Sequence, residues 1–102
     1  MKSYALFQQY IWLVNTIHKY RKLTLDEINQ HWLDTDMSEG LPIARSTFNR
    51  HRDAILDMFG VIIECDKKDG FRYYIYNAEV LEEESIQNWM LSTLSVNSIL
   101  SE

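Results

Sequence analysis

Gly60 divides the chain into two kinds of apolar pattern. Before it, apolar residues recur at spacings of three and four, the period of a helix with one buried face. After it, the β-branched and apolar segment Val61 to Cys65 and the aromatic run Phe71 to Tyr76 flank Asp66-Lys67-Lys68-Asp69-Gly70. Two short strands joined by a turn containing Asp-Gly make a β-hairpin, and here its tip is basic. The chain is therefore expected to be mainly α with a small β-hairpin.

The first helix is expected from Tyr4 to about Tyr20, on a stripe of Leu6, Tyr10, Leu13, Ile17 and Tyr20 widened by Phe7, Ile11 and Val14. Thr24-Leu25-Asp26-Glu27 reads as a capping box that starts a second helix. Leu25, Ile28 and Trp32 form its buried face, and it ends before the breaker cluster Asp36 to Pro42. A third helix runs from about Arg45 to Met58, with Gly60 as its C-terminal cap and Ile43 and Phe48 placed as a hydrophobic staple around Ala44. Phe48, Ile55 and Phe59 share one face, widened by Leu56, while Ser46, Arg50, Asp53 and Asp57 lie opposite. After an acidic stretch from Asn77 to Glu84 the periodicity predicts one more helix, with Ile86, Trp89, Met90 and Leu94 on one side.

A chain of 102 residues holds one modest core, which excludes a large multi-domain enzyme. The single cysteine, Cys65, makes no internal disulfide, and no stretch has the form of a secretory signal or a membrane span. A soluble protein of the reducing cytoplasm is expected. The formal net charge of -5 argues against a nucleic-acid binder only until position is considered. Residues 41 to 52 hold Arg45, Arg50 and Arg52 with no acid, and residues 67 to 76 hold three bases against one acid. The N-terminal 25 residues add Lys2, Lys19, Arg21 and Lys22, again with no acid.

Helix, helix, turn, helix and hairpin is the element order of a winged helix-turn-helix domain, in which the third helix enters the major groove and the hairpin lies on the adjacent backbone. The positive charge is concentrated on those two elements and on the end of the first helix. The sequence also resembles the N-terminal winged helix-turn-helix region of bacterial WYL-domain transcriptional regulators of the Bacteroides-like kind. The resemblance is carried by Ser46-Thr47-Phe48-Asn49-Arg50-His51-Arg52-Asp53-Ala54-Ile55, by Phe59-Gly60 and Ile62-Ile63-Glu64-Cys65-Asp66, and by Gly70-Phe71-Arg72-Tyr73-Tyr74-Ile75. It continues through Asn88-Trp89-Met90-Leu91 to Ser98-Ile99-Leu100. It implies a DNA-binding domain over residues 1–77 and a connector helix over 78–102 that leads to a missing C-terminal domain, where any effector ligand would bind. Ala44 departs from the pattern, since related proteins often place a capping Ser there.

The residues expected to read double-stranded DNA are Arg45, Ser46, Thr47, Asn49 and Arg50 of the third helix, with Lys22, Lys67, Lys68 and Arg72 on phosphates. An exposed arginine pair or a lysine pair in a turn is by itself an ordinary solvated surface; the position of these pairs is what points to DNA. Asn49 either recognises adenine or solvates the helix. Arg52 falls on the side of Phe48 and Ile55, so it is expected to snorkel or to pair with an acid. Tyr73, Tyr74 and Tyr76 are expected to pack across strands rather than stack on bases. His18, His31, His51 and Cys65 do not pair at zinc-site spacing, no nucleophile stands with a base and an orienting acid, and no phosphate-binding glycine loop is present. Neither metal, cofactor nor enzyme activity is expected. The stripe Ile86, Trp89, Met90 and Leu94 is expected to form an interface in a homodimer that sets two recognition helices about one DNA turn apart. The final residues stop within an apolar pattern without a cap, which reads as a fragment of a longer regulator. The alternative reading is a winged helix used as a protein-protein interaction module, which the acidic total charge and Trp89 would suit.

Overall fold

The computed structural model describes residues 2–82. Among these, three α-helices, α1 (Lys2–Tyr20), α2 (Leu25–Leu33) and α3 (Arg45–Phe59), precede an antiparallel hairpin of β1 (Ile63–Asp66) and β2 (Arg72–Ile75). The capping box is formed at the start of α2. The Thr24 hydroxyl accepts from the Glu27 amide at 3.1 Å, and the Glu27 carboxylate accepts from the Thr24 amide at 2.9 Å. α3 begins after Ala44, whose side chain offers no cap, and its entry is fixed by the staple of Ile43 and Phe48, both buried. It ends at Gly60, where φ of +69° lets the Gly60 amide close on the Leu56 carbonyl at 2.9 Å.

The link from α2 to α3 is an ordered turn. A 3-10 turn over Asp36–Ser38 leads through Glu39 and Gly40, both at positive φ. The Trp32 indole donates to the Leu41 carbonyl at 2.9 Å. The Asn29 amide bonds the Ile43 backbone on both sides, donating to its carbonyl at 3.0 Å and accepting from its N–H at 2.7 Å. These bonds satisfy turn groups that burial would otherwise leave unpaired, and they set where α3 starts.

The hairpin register pairs Ile63 with Ile75 and Asp66 with Arg72. Asn77 closes its base, donating to the Gly60 carbonyl at 2.8 Å while its oxygen accepts from the Ile62 amide at 2.8 Å. Leu23, between α1 and α2, adds a one-residue bridge on the outer edge of β2, exchanging two backbone hydrogen bonds with Tyr73. The hairpin is thereby tied to the helices on both sides.

The core is built from Tyr10, Ile11, Leu13, Val14 and Ile17 of α1, Ile28 and Trp32 of α2, and Phe48, Ile55 and Phe59 of α3, closed by Val61, Ile63, Tyr73 and Ile75. The expected face of α1 is buried through Tyr10, Leu13 and Ile17, and the stripe differs at its two ends. Leu6 and Tyr20 are 39% and 44% exposed, whereas Ile11 and Val14 are fully buried. Leu56 is also outside, at 46% exposed, because His51 rather than a fourth apolar residue completes the inner face of α3. Residues Ala78–Glu82 form a 3-10 helix whose Leu81 is buried in the same core. The rest of the expected connector, with Ile86, Trp89, Met90 and Leu94, lies outside the described residues. No helix among the described residues is long and apolar enough to cross a membrane.

Candidate nucleic-acid interface

Helical phase decides what α3 offers to its surroundings. With Phe48, His51, Ile55 and Phe59 turned inward, Arg45, Ser46, Asn49 and Arg50 are exposed and Thr47 is half-buried. Arg50 reaches back one turn to the Thr47 hydroxyl at 3.3 Å, and Arg45 donates to the Tyr73 hydroxyl at 3.2 Å. Neither arginine has an acid within ion-pair distance among the described residues. Tyr73 itself is buried with its ring edge-on to Phe48, 4.7 Å between centroids, so it serves packing.

Arg52 is taken up differently. Its Nε and Nη2 donate to the Ile63 carbonyl at 3.1 and 2.6 Å, its Nη1 donates to the Asn49 side-chain oxygen at 3.2 Å, and its guanidinium stacks 5.2 Å from the Tyr73 ring centre. Its partner is thus a strand carbonyl and not an acid, and it locks α3 to β1. Asn49 thus shares with Arg52 the oxygen that a two-point contact with adenine also requires, while no bond from its NH₂ group is seen among the described residues.

The four expected phosphate anchors fall into two pairs. Lys67 and Lys68 are exposed in the 3-10 turn Lys67–Asp69 at the hairpin tip and form no ion pair among the described residues. Lys22 and Arg72 are held by carboxylates. Lys22 bonds Asp66 at 2.9 Å and Asp69 at 3.4 Å, while Arg72 lies 3.3 Å from Asp69 and 3.8 Å from Glu27. The hydrogen bond from Lys22 holds the Asp66 carboxyl below its ordinary range, and the same bond raises the lysine. Glu27 is also lowered, first by its bond from the Thr24 amide. Lys22 lies 5.3 Å from the Tyr74 ring centre as well. The pairs are exposed, so each contributes little to stability and can exchange for another anion.

The start of α3 and the hairpin tip meet. Arg45, Gly70, Phe71 and Tyr73 line one open cleft of about 210 Å³ together with Thr24, Leu25 and Asp26 at the start of α2. A larger cleft of about 360 Å³ lies between α3 and β1, lined by Arg52, Leu56, Ile63 and the acids Asp53 and Glu64. Two contributors escaped the sequence reading: Phe71, 58% exposed at the tip, and the Leu23 bridge that seats β2. A large aromatic directly after Asp-Gly in the turn is the signal the residues offered for Phe71, whose φ is +58°. No three His, Cys, Asp or Glu side chains among the described residues converge to hold a metal ion. The chain matches no protein-family model, no curated protein and no solved structure.

Proposed function

We propose that this chain binds double-stranded DNA as a winged helix-turn-helix domain of a transcriptional regulator, with α3 in the major groove and the hairpin as the wing. The observation that carries the reading is the shared cleft: Arg45 of α3 and Gly70 and Phe71 of the wing tip line one opening, and Arg50, five residues along α3, is exposed and without an acid partner among the described residues. Arginine at such a position can bond guanine at two points, and each good contact of that kind discriminates by roughly 1–3 kcal/mol. Ser46, Thr47 and the NH₂ group of Asn49 supply shorter polar contacts beside it. Lys67 and Lys68 neutralise phosphates without reading sequence, and Lys22 and Arg72 join them when phosphate replaces their carboxylates.

The test is Arg50→Ala. The side chain is exposed and, among the described residues, bonded to Thr47 alone, so the variant keeps its melting temperature while losing roughly 1–3 kcal/mol of affinity for a selected duplex. A large fall in melting temperature at unchanged DNA affinity would overturn the orientation assigned to α3. A second reading, a winged helix that contacts protein, is favoured by one observation: Lys22 and Arg72 are already satisfied by Asp66, Asp69 and Glu27. Salt-dependent retention on immobilised duplex DNA separates the two, since the protein-contact reading predicts none.

A further inference from the structure

Phe71 has a backbone conformation and an exposure that the hairpin's own packing does not call for. Its φ of +58° lies in the left-handed region, strained for a bulky L-residue, and it follows Gly70 at +64°. The two left-handed residues turn the chain from Lys67–Asp69 into β2, a task that glycine at position 71 would perform without strain. The ring takes no part in the core and is 58% exposed. Cations stand close to it in the turn and in the cleft it lines. Lys68 and Lys67 stand three and four residues before it without ion pairs among the described residues, and Arg45 lines the same cleft as Phe71. Asp26 lines that cleft too, and Asp69 is held by Lys22 and Arg72.

Proteins that kink duplexes place an apolar side chain among cationic ones, so that the phosphates are held while the ring unstacks a base step. We propose that Phe71 is such a wedge: on bound DNA its ring enters the minor groove beside α3 and partly separates two base pairs. The proposal rests on the DNA-binding reading above and adds a second source of specificity, because pyrimidine–purine steps open more easily than others.

A duplex with a one-nucleotide bulge is already unstacked, which removes the cost the wedge must meet. The probes are therefore two 30-bp duplexes of the same mixed sequence, one perfect and one with a central single-nucleotide bulge, titrated with the full chain. The wild-type chain should prefer the bulged duplex by about tenfold or more, given that unstacking a step costs a few kcal/mol. Phe71→Ala and Phe71→Gly should lose that preference while still binding the perfect duplex. Lys67→Ala/Lys68→Ala should weaken both duplexes alike and keep the preference. Phe71→Gly should melt at or above the wild-type temperature, since glycine relieves the left-handed strain. An equal preference in wild type and Phe71→Gly, or none in a wild type that binds the perfect duplex, overturns the wedge and leaves DNA binding standing. A Phe71→Gly variant that melts well below wild type also overturns it, by showing the ring to be structural. Failure of the wild type to bind either duplex overturns the DNA-binding reading, and the wedge with it.

Discussion

His51 is the one ionisable side chain that α3 turns into the core, where its ring lies edge-on to Tyr10 at 5.2 Å. Burial, with a smaller contribution from the charge of neighbouring Arg50, holds its pKa below the ordinary histidine range. Above about pH 6.5 the ring is neutral in folded and unfolded chains alike and costs nothing. As the pH falls below that value the unfolded chain takes up a proton that the folded one resists, so stability is lost until the pH passes the folded pKa. Melting temperatures measured from pH 7.5 to 5 should therefore fall, and His51→Phe should flatten the slope; an unchanged slope would mean that another group titrates there. The lowered carboxyls of Asp66 and Glu27 act in a separate window, because their contribution is present above the ordinary carboxylate range and is lost only as the pH falls through it. Helical phase alone puts His51 and Arg52 toward the interior. The carbonyl that Arg52 finds belongs to Ile63, and that contact depends on the distance between α3 and β1, which no local pattern records.

The hairpin illustrates the same boundary among elements. Strand runs, the Asp-Gly turn, the capping box at Thr24, the staple at Ile43 and the Gly60 cap are all local chemistry, and each is found where the residues place it. The Leu23 bridge is one residue long with its partner Tyr73 fifty positions away in the chain, too little pattern to read in advance. The α1 stripe ends one step before its spacing suggests, because Tyr20 is apolar enough to extend it, yet sits outside, stacked on His31 at 4.4 Å. The acids at the hairpin tip matter for function in the same non-local way. Asp69 meets both Lys22 and Arg72, which keep Asp66 and Glu27 as second partners, so Asp69→Asn removes one negative charge from the tip and loosens two cations toward phosphate. The variant should bind duplex DNA more tightly and steepen the salt dependence by about one unit. Weaker binding would show instead that the carboxylate is needed to shape the hairpin.

For the molecule as a whole, a formal charge of -5 and a DNA-binding surface are compatible only if charge is segregated. The fold brings the start of α3, which carries no acid of its own, against the wing tip with Asp26 as the one acid lining their cleft, while Asp53 and Asp57 lie farther along the helix. Arg45, Arg50, Lys67 and Lys68 have no acid partner among the described residues and are exposed. The most direct measurement is the affinity of the full chain for a 30-bp duplex across a series of salt concentrations. Phosphate contacts by Lys22, Lys67, Lys68 and Arg72, four in all, predict a straight line of log affinity against log salt with a slope of about -3 to -4, reduced by about two in Lys67→Ala/Lys68→Ala. Binding that does not change with salt, or no binding at low salt, would contradict the account.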